Sequence, residues 1–190
     1  PDVAVATPLI LNRMSEKVLR ELLMPKGKKT ASEKASTLKH QPMEEFRASP
    51  YTDTDEDAPT LLQHLSSAFK GALKSAALDL PGANKSQIGR LTWVNGERVS
   101  IYGVPKIFMS VTRSADINKT PDVRTRAIVP EWACRVSVSF VQPILREQGV
   151  ANLLASAGIT QGVGDWRPGK GSGTYGQFEV VSAAAGRFQH

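Results

Sequence analysis

The C-terminal quarter of the chain constrains the fold most. Residues 133–140, Ala-Cys-Arg-Val-Ser-Val-Ser-Phe, place Arg135, Ser137 and Ser139 between Val136, Val138 and Phe140. That period of two predicts a strand with one packed and one polar face. Leu145, Val150, Leu153, Leu154 and Ala157 then recur at helical spacing over 145–157, and Gly158 supplies a C-terminal stop. A turn follows, Gly162-Val-Gly-Asp-Trp-Arg-Pro-Gly-Lys-Gly-Ser-Gly, ahead of a second strand-like run at 175–182. A strand–helix–loop–strand unit with five glycines, Trp166, Arg167 and Lys170 on one loop is suited to close approach. Glycines let backbone amides face outward and the two cations favour phosphate, so a phosphate backbone is the expected neighbour.

The rest of the chain supplies a matching half. Residues 3–11 read as a strand that is an edge or ends at Pro8. Residues 15–23 read as a short helix capped by Ser15, with Val18, Leu19, Leu22 and Leu23 as its stripe. The clearest helix spans 60–79: Leu61, Leu62, Leu65, Ala68, Phe69, Ala72, Leu73, Ala76 and Ala77 form one apolar face, and Pro81-Gly82 ends it. Asn95-Gly96 marks a small decorating hairpin over 90–102, and 106–112 reads as the next strand of the sheet. Two polar stretches, about 25–58 and 113–127, read as insertions rather than domains. The order strand–helix–strand–strand–helix–strand predicts an α+β fold, the ferredoxin-like or RRM-like βαββαβ plan. It implies one domain over 1–190, with a four-stranded antiparallel sheet, both helices on one face, and the other face free to bind or to be covered by the insertions.

Composition narrows the function classes. The chain of 190 residues has 24 Lys+Arg against 18 Asp+Glu, a net charge of +6, which favours a polyanionic partner. One cysteine, Cys134, excludes a disulfide scaffold or a cysteine-based zinc site within a single chain. His40, His64 and His190 fit no metal spacing, so neither metal nor cofactor is expected. No run approaches the roughly 18 apolar residues of a membrane span. The sequence begins at Pro1, which points to a missing or processed N-terminus; the lone cysteine suits a reducing cytoplasm. No nucleophile–base–acid set, HExxH or supported carboxylate pair is present, so no enzyme is expected. Asp53, Asp55, Glu56 and Asp57 read as a solvated acidic turn before a helix N-terminus. The glycine loop lies between helix and strand and lacks Gly-x-x-x-x-Gly-Lys-Ser/Thr, so it is not a Walker motif.

Three stretches resemble the RAMP superfamily, which includes the RRM-like backbone subunits of CRISPR effector complexes. They are Thr7-Pro-Leu-Ile-Leu, the helix segment Ala68-Phe-Lys-Gly-Ala-Leu-Lys-Ser-Ala-Ala, and the glycine-rich 162–173 segment ahead of the last strand. Lys70, Gly71, Ala72, Leu73 and Lys74 match a helix motif of those subunits. The Gly-Val-Gly-Asp-Trp-Arg-Pro segment is also similar to a group of uncharacterised bacteriophage proteins. The resemblance implies self-association along a single strand through sequence-independent backbone contacts. The chain is shorter than most such subunits and lacks the catalytic residues of the RNA-processing relatives, so an endonuclease is disfavoured.

The combined expectation is a non-catalytic protein that binds single-stranded RNA or DNA and multimerises along it. Backbone contacts are expected from Lys70 and Lys74 on the first helix, from Arg113, Lys119, Arg124 and Arg126 in the 113–127 connection, and from Arg167 and Lys170 in the glycine loop. Trp132 or Trp166 would stack on bases; for Trp166, anchoring the loop to the core is the competing role. The other functional class is a phage interaction protein, an inhibitor or virion component, that uses the same fold to hold a protein partner.

Overall fold

The computed structural model describes residues 2–14, 23, 40–113, 121–171 and 173–181. In chain order its elements are β1 (Asp2–Val5), β2 (Leu9–Leu11), α1 (Pro42–Ala48), β3 (Tyr51–Thr52), β4 (Leu62–Leu65), α2 (Ser66–Ala76), α3 (Lys85–Leu91) and β5 (Thr92–Val94). There follow β6 (Arg98–Gly103), β7 (Lys106–Arg113), β8 (Pro121–Val129), β9 (Trp132–Arg135), β10 (Val138–Phe140), α4 (Glu147–Thr160) and β11 (Phe178–Val181). The protein is a mixed α+β structure with antiparallel sheets. Among the described residues no helix is long and apolar enough to cross a membrane.

The largest sheet has the order β11-β1-β9-β6-β4-β3. Its register explains its core. Val180 lies opposite Val3, Val3 opposite Cys134, Cys134 opposite Ile101, and Ile101 opposite Leu62. Residues directly opposite one another point to the same side, so this row forms one apolar face. It packs with Phe69, Leu73 and Ala76 of α2 and with Leu153, Leu154 and Ala157 of α4 in a single core. Gly158, inside α4, lets that helix lie against β11: a Cβ there would strike the carbonyl oxygen and ring of Phe178. Phe178 is fully buried between Phe69 and Trp132, at ring-centroid distances of 6.1 and 6.3 Å. Truncating such a phenylalanine costs about 3–5 kcal/mol.

The opposite face of this sheet is polar. Asp2 and Arg135 face each other and form a forked ion pair at 2.7 and 3.4 Å. The guanidinium holds the Asp2 carboxyl below the usual carboxylate range. Arg98 donates to Gln63 Oε1 at 3.2 Å and covers the Tyr51 ring at 5.3 Å. A second sheet, β2-β8-β7, and a two-stranded ribbon, β10-β5, complete the described strands.

Several expectations need correction. The run 3–11 is two strands in two sheets, because Ala6, Thr7 and Pro8 turn the chain; the Ala6 and Thr7 amides both donate to Gln177 O at 3.1 Å. The first long helix starts only at Ser66, since 62–65 is a strand paired with β6. Arg98–Gly103, expected as decoration, is an inner strand of the large sheet, whereas 106–113 pairs with 121–129 in the other. Gly103 separates the two strands: at φ +150 it lies against Glu131 O and Val129, where no side chain fits. The 113–127 connection is therefore a strand from Pro121 onward. The sheet has six strands rather than four. Gly158 is not a helix stop, because α4 continues to Thr160. The predicted insertion at 25–58 contains α1 and β3. Of the helix expected over 15–23 only Leu23 falls among the described residues, and 24–39 lie outside them.

Candidate nucleic-acid interface

The glycine loop turns inward. Gly162 and Gly164 adopt φ +63 and +80, a region open to glycine at little cost. Added side chains at Gly164, Gly173 and Gly176 would strike the carbonyls of Ile10, Trp166 and Val163. The loop backbone is correspondingly tied down: Asp165 N donates to Ile10 O at 2.9 Å, Gly176 N to Pro8 O at 2.8 Å, and Val163 N to Gly176 O at 2.9 Å. The close approach expected from these glycines is thus made to the protein's own chain, along β2 and within the loop. Gly171 is different, with open space around it.

Trp166 sits at φ +52, a strained conformation for a bulky residue. Its ring is held by Phe108 at 5.8 Å and Tyr175 at 6.1 Å, and the Arg126 guanidinium lies 5.5 Å from its centroid. Arg126 is buried, and its Nη1 is 2.7 Å from Asp165 Oδ2. Burial lowers its pKa, while the Asp165 carboxylate opposes that shift. Asn12 Nδ2 also donates to Asp165 Oδ2, at 3.2 Å. Arg167 Nη1 donates to Gly164 O at 2.8 Å. Trp166 and Arg126 therefore join the loop to the β7–β8 hairpin, Arg167 bonds back within the loop, and anchoring outweighs base stacking for Trp166. Trp132 is buried and donates Nε1–H to Thr7 O at 3.0 Å, which removes it as a stacking surface.

The remaining sequence candidates divide. Lys170 is exposed at the loop tip. Arg124 is half exposed, with Nε 3.0 Å from Asp122 Oδ2. Arg113 ends β7, and Lys119 lies outside the described residues. Lys70 and Lys74 lie four apart on α2, the spacing that brings helix side chains together.

Around these two lysines the structure assembles a surface that the sequence reading missed. Trp93 of β5 is 45% exposed, and Lys70 Nζ stands 5.9 Å from its ring centroid. The Lys74 stem runs past Gly89 of α3, where an added Cβ would lie 3.2 Å from its Cδ. Arg90 ends the same short helix and is exposed. Beside it opens a cleft of about 630 Å³ lined by Asn84, Ser86, Gln87, Arg90, Leu91 and Ile144. Asn84 fixes the cleft wall, since its Oδ1 caps α3 by accepting from Ser86 N and Gln87 N at 2.9 and 3.1 Å. Thr92 is buried and donates Oγ1–H to Ile88 O at 2.7 Å, so alternation turns Trp93 outward. That inward–outward step was the available signal: an aromatic at the polar position of a short strand, next to a lysine helix. The combination offers a π-face, three cations and an open cleft.

The other titratable groups have no comparable setting. Cys134 is buried, and burial pushes its thiol up to about 12, which leaves it un-ionised and inert. Among the described residues no group of three His, Cys, Asp or Glu side chains is placed to hold a metal ion. No protein-family model matches the sequence, and no curated protein matches it.

Proposed function

We propose that this protein binds single-stranded nucleic acid without catalysing a reaction, and that the strand lies on the α2–α3–β5 surface. The observation that carries the reading is Trp93, nearly half exposed with Lys70 over its ring and with Lys74 and Arg90 on the adjoining helices. Aromatic stacking accepts any base and lysine or arginine neutralises phosphate, so this pairing suits sequence-independent grip. Gly71 adds support: it is exposed in the middle of α2, and nothing crowds the position of its missing Cβ. A glycine there weakens the helix by roughly 0.5–1 kcal/mol relative to alanine, and close passage of a backbone beside Lys70 explains its use.

The fold reading belongs with this proposal. Strands β11-β1-β9-β6, with α2 between β1 and β6 and α4 between β9 and β11, follow the order of the split βαβ plan, and β4 and β3 extend it beyond β6. The open-face positions of the two central strands are Asp2, Ala4, Ala133 and Arg135. They carry no aromatic ring, and Tyr102 of β6, exposed opposite Ala133, has no lysine over it among the described residues as Trp93 has, which is why we place stacking at Trp93. The RAMP-like segments support side-by-side assembly of copies in the cytoplasm, with Arg124 and Lys170 as further exposed contacts.

The test is purification without nuclease, followed by light scattering and the absorbance ratio at 260 and 280 nm. A large assembly rich in nucleic acid is expected for the wild type, and a nucleic-acid-free protein for Lys70→Ala/Lys74→Ala/Trp93→Ala. Nucleic-acid-free wild type, even at low salt, overturns the proposal. One observation favours the second reading, a protein partner. The edge strand β7 exposes Ile107, Met109 and Val111 at 46%, 54% and 73% along one side. That stripe offers strand pairing and apolar contact.

A further inference from the structure

His40 sits immediately before α1 and bridges two elements. Its Nδ1 is 2.9 Å from Glu45 Oε1 of α1, and its Nε2 is 2.8 Å from Asp122 Oδ1 of β8. An ionised carboxylate only accepts hydrogen bonds, and a neutral imidazole has one N–H. Both contacts are hydrogen bonds at once only when both ring nitrogens carry protons. We propose that His40 is a proton-operated clasp: as imidazolium it ties α1 to the start of β8, and on losing a proton it releases one side.

The surroundings agree. Glu45 also accepts from the Thr125 amide through Oε2 at 3.3 Å, and Ser49, just past α1, accepts the Ala127 amide on its Oγ at 2.7 Å. So α1 stands along the part of β8 that β2 does not cover, and His40 closes the far end of that seam. Among the described residues, the charged groups on the elements packed here are Glu44, Glu45 and Arg47 of α1, Asp122, Arg124 and Arg126 of β8, the last paired with Asp165, and Lys106 and Arg113 at the ends of β7. Arg124 Nε stands 3.0 Å from Asp122 Oδ2, the carboxylate oxygen that His40 does not use. The hydrogen bond to Glu45, opposed by burial and aided by Asp122, raises the His40 pKa above its usual value. The stabilisation is therefore complete below about pH 6.5 and is lost as pH rises through the raised folded-state value. The hairpin is held most tightly in mild acid and loosens as pH rises through that raised midpoint.

The experiment is a histidine-ring NMR titration of the full chain, with the His40 signal assigned by its loss in His40→Gln. Hydrogen exchange at the Thr125 and Ala127 amides, corrected for intrinsic pH dependence, gives a second readout. A His40 midpoint above that of a free histidine is expected, falling toward it in Glu45→Gln. Protection at Thr125 and Ala127 should drop across that midpoint in the wild type and stay pH-independent in His40→Gln. A midpoint at or below the free value, or protection that follows pH equally in both proteins, overturns the clasp.

Discussion

At the scale of single residues, His64 is the sharpest departure from ordinary core chemistry. It sits on β4 with its ring edge-on to Phe69 at 6.2 Å, and both ring nitrogens are buried without a hydrogen-bond partner among the described residues. Burial, helped by the Arg167 charge, lowers its pKa to about 4. The unfolded chain takes up this proton near pH 6.5 and the folded chain does not. The contribution of His64 to stability is therefore intact above about pH 6.5 and is lost as pH falls toward 4, by on the order of 3 kcal/mol. We predict that His64→Leu unfolds at equal or higher urea concentration at pH 7 and keeps more of its stability at pH 4.5. Equal acid sensitivity in both proteins would contradict this. His64 and His40 thus act in opposite directions on acidification, and the two single variants separate them. The sequence showed neither role: a histidine's partners are set by distant strands, and Asp122 lies far along the chain from His40.

At the scale of elements, legibility followed local pattern and failed where pairing decided. The apolar stripe of α2 and the strand character of 98–102 and 106–112 were readable from spacing alone. Which strand joins which sheet was not, because Gly103 redirects the chain through contacts with Glu131 and Val129. Residues 121–127 hid a strand behind polar side chains that are paired in the fold, Arg126 with Asp165 and Asp122 with His40 and Arg124. The glycine loop was correctly seen as a place of close approach, but its neighbour is the carbonyl row of its own chain. On α2, Lys70 and Lys74 were singled out by sequence, while Trp93 and Arg90 reached them only through folding. Gly71 gives this element its own test. Gly71→Ala should raise stability by roughly 0.5–1 kcal/mol, by the usual helix preference. It should also weaken single-strand binding, measured by anisotropy, if a backbone passes close to α2. A variant that is more stable and binds as before removes the argument from Gly71.

At the scale of the whole molecule, the chain places different chemistry on different surfaces. One sheet face is sealed by α2 and α4, and the opposite face carries polar side chains with the Asp2–Arg135 ion pair among them. The β7 edge is apolar, and the α2–α3–β5 side is cationic with an exposed tryptophan. A net charge of +6 strengthens long-range attraction of a polyanion but does not say where it docks; the proposal places it at Trp93. The most direct measurement is a titration of a labelled, unstructured single strand against wild type and Trp93→Ala at several salt concentrations, following anisotropy and tryptophan fluorescence together. The account predicts affinity that falls steeply with salt, quenching that disappears in Trp93→Ala, and about a 5- to 150-fold weaker complex for that variant, the range set by one stacked base. Binding that ignores salt, or that Trp93→Ala leaves unchanged, would contradict it.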